Sequence, residues 1–188
     1  MIFEHWIYST AIAILVYTIY RKKECLYIII GSAYVPDVDN FADKILKKID
    51  ITVLVYGEPI KHGDFHNILI LVVYAILIML LLNIINIKMK DSFILASIGF
   101  AAHLFEDALV FNPGYRFFWP ILNQKFGIGI LPYDYNGNKD LYGIANTDVL
   151  ILGIILVILS ICLKYIFDKY ILDNNIKSVL KINGRNGR

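Results

Sequence analysis

The sequence holds only two cysteines in 188 residues, Cys25 and Cys162, each in or beside an apolar run. Two thiols so placed read as reduced packing residues and exclude a disulfide framework or a thiolate metal cluster. Charge is also scarce. Charged residues make up 18% of the chain and the net charge is +2, too little to suit nucleic acid as a partner. No internal repeat or low-complexity tract is present, which argues against a carrier built from paired repeats. The first apolar stretch lacks a basic start and a small-residue cleavage site, so no cleavable signal is expected. Histidine is rare too, with four in the whole chain.

Apolar residues are what the chain has in excess. Its composition is 58% hydrophobic with a mean hydropathy of +0.62, against roughly 45–50% apolar for an ordinary soluble domain. The charges lie between apolar blocks, which marks an integral membrane protein. Residues 6–20 are an uncharged run closed by Arg21-Lys22-Lys23-Glu24, and residues 25–35 form a shorter one leading into Pro36-Asp37-Val38-Asp39. Residues 36–65 read as a polar connector with a surface helix near 39–50. Residues 67–87 carry no charge and form the clearest span. A charged turn, Lys88 to Asp91, precedes a helix at 92–111. A loop rich in Gly, Pro and Tyr fills 112–146, and Asn146-Thr147-Asp148 supplies caps for a last span at 148–167.

The expected fold is therefore all-α: a polytopic helical membrane protein with about five membrane helices, one or two of them short, and two long outward connectors. Residues 1–180 form one helical membrane domain, and 181–188 a disordered basic tail. With every apolar segment crossing, 21–24, 88–91 and the tail from Lys164 share one side and hold eleven of the eighteen basic residues. The positive-inside rule puts that side, and the C-terminus, in the cytoplasm.

One stretch stands out chemically: Ala102-His103-Leu104-Phe105-Glu106-Asp107-Ala108, inside an apolar run. On a helix His103 and Asp107 lie one above the other on one face, while Glu106 points about 100° away. Ionisable groups in a membrane segment are functional-site candidates by default, and a nitrogen and an oxygen from adjacent turns can reach one cation. The same residues read equally as a polar face satisfied by a neighbouring helix. The topology brings His5, Asp37, Asp39, His62, His66, His103 and Asp107 to the outer end of their segments, so all four histidines fall on one side. Histidine with carboxylate fits Zn²⁺ or Mn²⁺ better than Ca²⁺. Each group has a plainer reading: His5 beside Trp6 at the membrane interface, and Asp37-Val38-Asp39-Asn40 as a turn and helix cap. Glu106 is expected as a support behind a ligand, in a salt bridge with Arg116, or as a proton acceptor, and Arg116 could instead hold a phosphate oxygen. Trp119, Tyr133 and Tyr135 read as an aromatic belt, and Gly127-Ile128-Gly129 as a weak phosphate-loop signal.

In order, His5, Gly31-x4-Pro36-Asp37-Val38-Asp39, His62-Gly63-x2-His66 and His103-x3-Asp107, followed by Gly114 and Trp119-Pro120, resemble the membrane-bound metal-dependent hydrolases. These are inner-membrane proteins described as LexA-regulated and distantly similar to zinc-dependent phospholipase C. The resemblance covers roughly residues 1–120. Lys61 stands at the family's first histidine of the second motif, and Asn40 where the family tends to have another. The resemblance implies His5, Asp39, His66, His103 and Asp107 as metal ligands, with His62 a further candidate and Asp37 a ligand or its support.

The function so implied is metal-assisted hydrolysis of a phosphoester or lipid phosphate, with one or two divalent cations, zinc or manganese, and Asp37 or Glu106 taking a proton. Membrane lipid is the expected partner, with no nucleic acid. Two other classes stay open: a metal-independent carrier or proton-coupled transporter with a His103–Glu106–Asp107 relay, and a structural membrane protein without activity.

Overall fold

The computed structural model describes residues 2–131 and 146–183, and the side chains of 3–131 and 146–171. Six helices are described: α1 (Ile2–Tyr20), α2 (Glu24–Ser32), α3 (Val38–Lys48), α4 (Ile68–Asn83), α5 (Met89–Val110) and α6 (Thr147–Asn183). α1 packs along α6 and α4 along α5, while α2 bridges α1 and α5. Small residues permit these approaches, as is usual where helices meet in lipid. The Ser160 hydroxyl donates to the Ala11 carbonyl at 3.1 Å across the α1–α6 contact. The α2–α5 contact closes over Gly99, where a Cβ would stand 2.6 Å from the Ile29 carbonyl oxygen and 2.7 Å from the Ser32 Cβ. The core beside it is built from Cys25, Ile28, Ile29, Ala75, Leu95 and Ala96.

Among the described residues two helices are long and apolar enough to cross a membrane, Met89–Val110 and Thr147–Ile171. The expected total of about five membrane helices is not supported. α2 has nine residues, roughly 14 Å of helix. α1 carries Glu4 and His5 near its start. α4 stops at Asn83, short of the expected Ile87, because the chain turns through Asn86 at φ 64° and the Ile87 amide bonds back to the Leu82 carbonyl. α6 errs in the other direction and runs past 167 to Asn183, since no Gly or Pro occurs between Gly153 and Gly184. Asn146 caps it as expected, its Oδ1 accepting from the Asp148 and Val149 amides at 3.0 and 3.1 Å.

The first connector holds the expected surface helix as α3, and also a small antiparallel hairpin, β1 (Leu54–Val55) and β2 (Glu58–Pro59). Positive φ at both Tyr56 and Gly57 gives the turn that matches strand twist. The second connector folds back on itself at the Tyr115–Phe126 bridge. Gly127 is used for packing there, its backbone lying against the Phe111 carbonyl. Tyr133 and Tyr135 lie outside the described residues, as do residues 184–188 of the expected basic tail.

Candidate metal centre

Four segments meet at one end of the bundle. α1 contributes His5 and α5 contributes His103, Glu106 and Asp107. The turn before α3 contributes Asp37, α3 itself Asp39, and the loop entering α4 contributes His62 and His66. That loop is held by its own polar groups. The Asp64 carboxylate accepts from the Lys61 amide at 2.8 Å, Gly63 turns the chain at φ 99°, and Asn67 caps α4 by accepting from the Ile70 amide at 3.0 Å. Asn67 also donates to the Asp64 carbonyl at 2.8 Å, so the cap and the turn lock each other.

The ring nitrogens and carboxylates converge closely. His66 Nε2 stands 3.1 Å from Asp107 Oδ2 and 3.4 Å from Asp37 Oδ1. His103 Nε2 lies 3.4 Å from Asp107 Oδ2, 3.7 Å from Asp37 Oδ1 and 3.2 Å from His66 Nε2. His5 Nε2 reaches Asp37 Oδ2 at 3.6 Å, and its ring stacks on His103 with centroids 4.0 Å apart. Three overlapping groups result: His5 with Asp37 and His103, Asp37 with His62 and His66, and His66 with His103 and Asp107. Within each, the ligand atoms lie within 4.8 Å of one another.

The donor set fits a cation because the outer nitrogens of His5 and His103 are already committed. His103 Nδ1 donates to the Ala33 carbonyl at 2.6 Å, and His5 Nδ1 donates to Glu106 Oε2 at 3.0 Å. Both bonds fix the tautomer that turns a bare Nε2 lone pair inward, as partners behind metal-ligating histidines do. His66, His103, Asp107, Glu106 and His5 are all buried. Burial alone would lower the His66 pKa, but Asp107, Asp37 and Asp39 around the ring more than reverse this and leave it well above the ordinary value. Without a cation, a protonated His66 is what balances the carboxylates.

The sequence candidates therefore separate into positions. His5, Asp37, His66, His103 and Asp107 face the centre. Asp39 stands behind His66, with Oδ2 3.5 Å from its Nδ1; Oδ2 also accepts from the Gly63 and Phe65 amides at 2.8 and 3.1 Å, and Oδ1 meets His62 Nδ1 at 3.1 Å. Burial opposes the Asp39 charge, yet those bonds hold its pKa below the ordinary carboxylate range. Asp37, not Asp39, thus turns its oxygens toward the other three segments. His62 is half exposed at the mouth, with Nε2 3.4 Å from the Tyr115 hydroxyl. Glu106 pairs with His5 and not with Arg116, whose guanidinium stacks 4.5 Å over the Tyr56 ring. Lys61 pairs with Glu58 at the surface.

A cavity of about 440 Å³ opens onto the centre, lined on the site side by His5, Asp37, His62 and Asp107. Its outer walls are Tyr34, Val38, Phe41 and Lys44 on one side, and Phe111 and Tyr115 on the other. Sequence reasoning did not find Tyr115, which covers His66 with ring centroids 4.4 Å apart, because a tyrosine in a long loop carries no spacing signal. It also missed Glu4, fully buried, whose Oε1 accepts from the Asn146 amide at 2.8 Å and joins α1 to the start of α6. The Ala33 carbonyl had no side chain to betray it.

The fold is a helical bundle with two candidate membrane spans among the described residues and a buried histidine–carboxylate cluster at one end, which fits a membrane protein. The chain belongs to the YdjM inner membrane protein family, whose model matches residues 1–171. No curated protein and no solved structure matches the chain.

Proposed function

We propose that this protein is a membrane-embedded metal-dependent hydrolase that cleaves a phosphoester bond in an amphiphilic substrate. The observation that carries the reading is the convergence of His66 Nε2, His103 Nε2 and Asp107 Oδ2 to within 3.1–3.4 Å of one another in a buried site. His5 and Asp37 extend the set toward the cavity, which gives donors for one or two divalent cations, zinc or manganese. A bound cation would supply Lewis acidity and lower the pKa of a water it carries from 15.7 toward about 7.

The remaining work falls to the chain. Glu106 holds the His5 ring in its inward tautomer, from behind and out of substrate reach. Asp37, at the cavity wall, offers the carboxylate nearest to an incoming group. His62, backed through Nδ1 by Asp39, presents Nε2 at the mouth, where it accepts a proton or returns one to a leaving oxygen. α1, α2 and α4 complete the bundle inside the membrane around α5 and α6, with both connectors on the extracytoplasmic side and the C-terminus in the cytoplasm. Eleven of the eighteen basic residues on the opposite side support that orientation.

The test is hydrolysis of bis(p-nitrophenyl) phosphate and of a short-chain lipid phosphate by protein purified in detergent and loaded with Zn²⁺ or Mn²⁺. Turnover that is lost with chelator and in His103→Ala supports the reading. Turnover of neither substrate with either metal contradicts it.

A further inference from the structure

Outside the centre, α3 poses the question the bundle does not answer. Among the described residues it packs along no other helix as the paired helices do. Asp39 points inward and is fully buried, and Leu46 follows it one face along. On the adjoining face Val38, Phe41, Ile45 and Ile49 recur at helical spacing, and all four are exposed, Phe41 by 67%. Two residues along a helix is a rotation of about 200°, so burying Asp39 turns Phe41 outward. The exposed apolar surface continues past the helix through Ile51, Val53 and Leu54. Soluble surfaces rarely carry so long a stripe without something to cover it.

The charges beside the stripe say what covers it. Lys44, Lys47 and Lys48 lie on the flank next to Phe41 and Ile45, and all three are exposed. Of the acids on the helix, Asp39 is turned inward and Asp43 is engaged by Lys47 at 2.8 Å, so the outward charge is positive. An apolar stripe edged by lysines is the signature of a helix lying in the membrane surface on anionic headgroups. We infer that α3 is an in-plane interfacial helix docked on anionic lipid through Val38, Phe41, Ile45 and Ile49, with its lysines among the headgroups.

The consequence for the site is an entry path, and this part rests on the hydrolase reading above. Val38, Phe41 and Lys44 are at once residues of the lipid-facing helix and the outer wall of the 440 Å³ cavity. A lipid lying beside α3 meets the cavity with its chain against Val38, Phe41 and Phe111 and its phosphate between Lys44 and the centre. The substrate class is therefore an anionic lipid taken sideways from the same leaflet, not a soluble phosphoester taken from water.

The docking is testable without metal or turnover. Full-length Phe41→Trp, in a Trp6→Phe/Trp119→Phe background, is stripped of metal and reconstituted into vesicles of neutral lipid alone or with increasing fractions of anionic lipid, which sets the surface potential. Expected are a blue-shifted emission from the single introduced indole and quenching by brominated lipid that strengthens with the anionic fraction. Replacing Lys44, Lys47 and Lys48 by glutamine should remove that strengthening. Water-like emission open to iodide, or bromolipid quenching indifferent to anionic lipid and to the lysines, overturns the inference. Neither result depends on hydrolysis. If docking holds and the enzyme is active, Ile45→Asn, on the lipid-facing stripe but outside the cavity wall, should raise KM for a lipid phosphate severalfold and leave KM for bis(p-nitrophenyl) phosphate as it was. An equal change for both substrates overturns the entry path.

Discussion

His66 Nε2 and His103 Nε2 face each other at 3.2 Å, with Asp107 Oδ2 3.1 Å from the first and 3.4 Å from the second. Because His103 Nδ1 donates to the Ala33 carbonyl, the neutral ring turns the lone pair of its Nε2 inward. Two imidazoles so placed need a proton or a cation between them, and the carboxylate makes either welcome. Which of the two it is, and how firmly the fold holds the rings, can both be measured.

Glu106 acts through His5. Replacing Glu106 by glutamine keeps the shape but weakens the acceptor that fixes the His5 tautomer. Such partners behind a ligand are typically worth roughly 10–100-fold in metal affinity. Chelator competition on purified Glu106→Gln should show a loss in that range, with the fold intact by circular dichroism. Unchanged affinity would remove His5 from the ligand set.

Metal affinity should climb with pH. In the metal-free protein the pKa of His66 is raised well above 6.5, because its neighbouring carboxylates outweigh burial. A raised pKa contributes stability that is fully present below the unfolded value, roughly 6.5, and is lost as pH rises through the folded value. A cation must displace that proton, so binding strengthens across the same window and releases a proton. Titration calorimetry in two buffers of different ionisation enthalpy reads the release. Asp107→Asn, which removes the nearest carboxylate, should narrow the window.

Gly99 sets how closely α2 approaches α5, and so where the Ala33 carbonyl stands relative to His103. In Gly99→Ala the new methyl would meet the Ile29 carbonyl oxygen at 2.6 Å, and backbone cannot swing aside like a flexible side chain. We expect a loss of about 1–3 kcal/mol, read as a lower thermal midpoint in detergent. Weaker metal binding should accompany it as the His103 bond loosens.

Asn67 is the cap of α4 and the clasp of the loop that carries His62 and His66. Asn67→Ala should cost about 1–2 kcal/mol. Its effect on metal affinity should exceed that of an equally destabilising change remote from the site, because His66 precedes the cap by one residue.

Much of the centre was readable because it uses periodicities that sequence displays. His103 and Asp107 share a helix face by four-residue spacing, and one-sidedness of the histidines follows from the order of charged turns. Asp39 is expected as a ligand and Asp37 as a ligand or its support, whereas it is Asp37 whose oxygens reach His5, His66 and His103; residues two apart in a turn and first helical turn point in different directions once the chain is folded. The partner of Glu106 was hidden for a related reason: His5 is 101 residues away, and only the α1–α5 packing brings it near. Span limits failed where turn chemistry decided them. The apolar run to Ile87 continues four residues past the helix, which ends in the turn through Asn86. Surface-helix α3 was legible in position, but its outward apolar stripe was not, because only the burial of Asp39 fixes which face looks inward.

Metal analysis of the purified protein tests the central claim most directly. Wild type, expressed with zinc and manganese in the medium and dialysed without chelator, should carry between one and two equivalents of a divalent cation, and His103→Ala/Asp107→Asn should carry almost none while still folding. Wild type that purifies free of metal and takes up none, or a double variant that holds as much as wild type, would contradict the account.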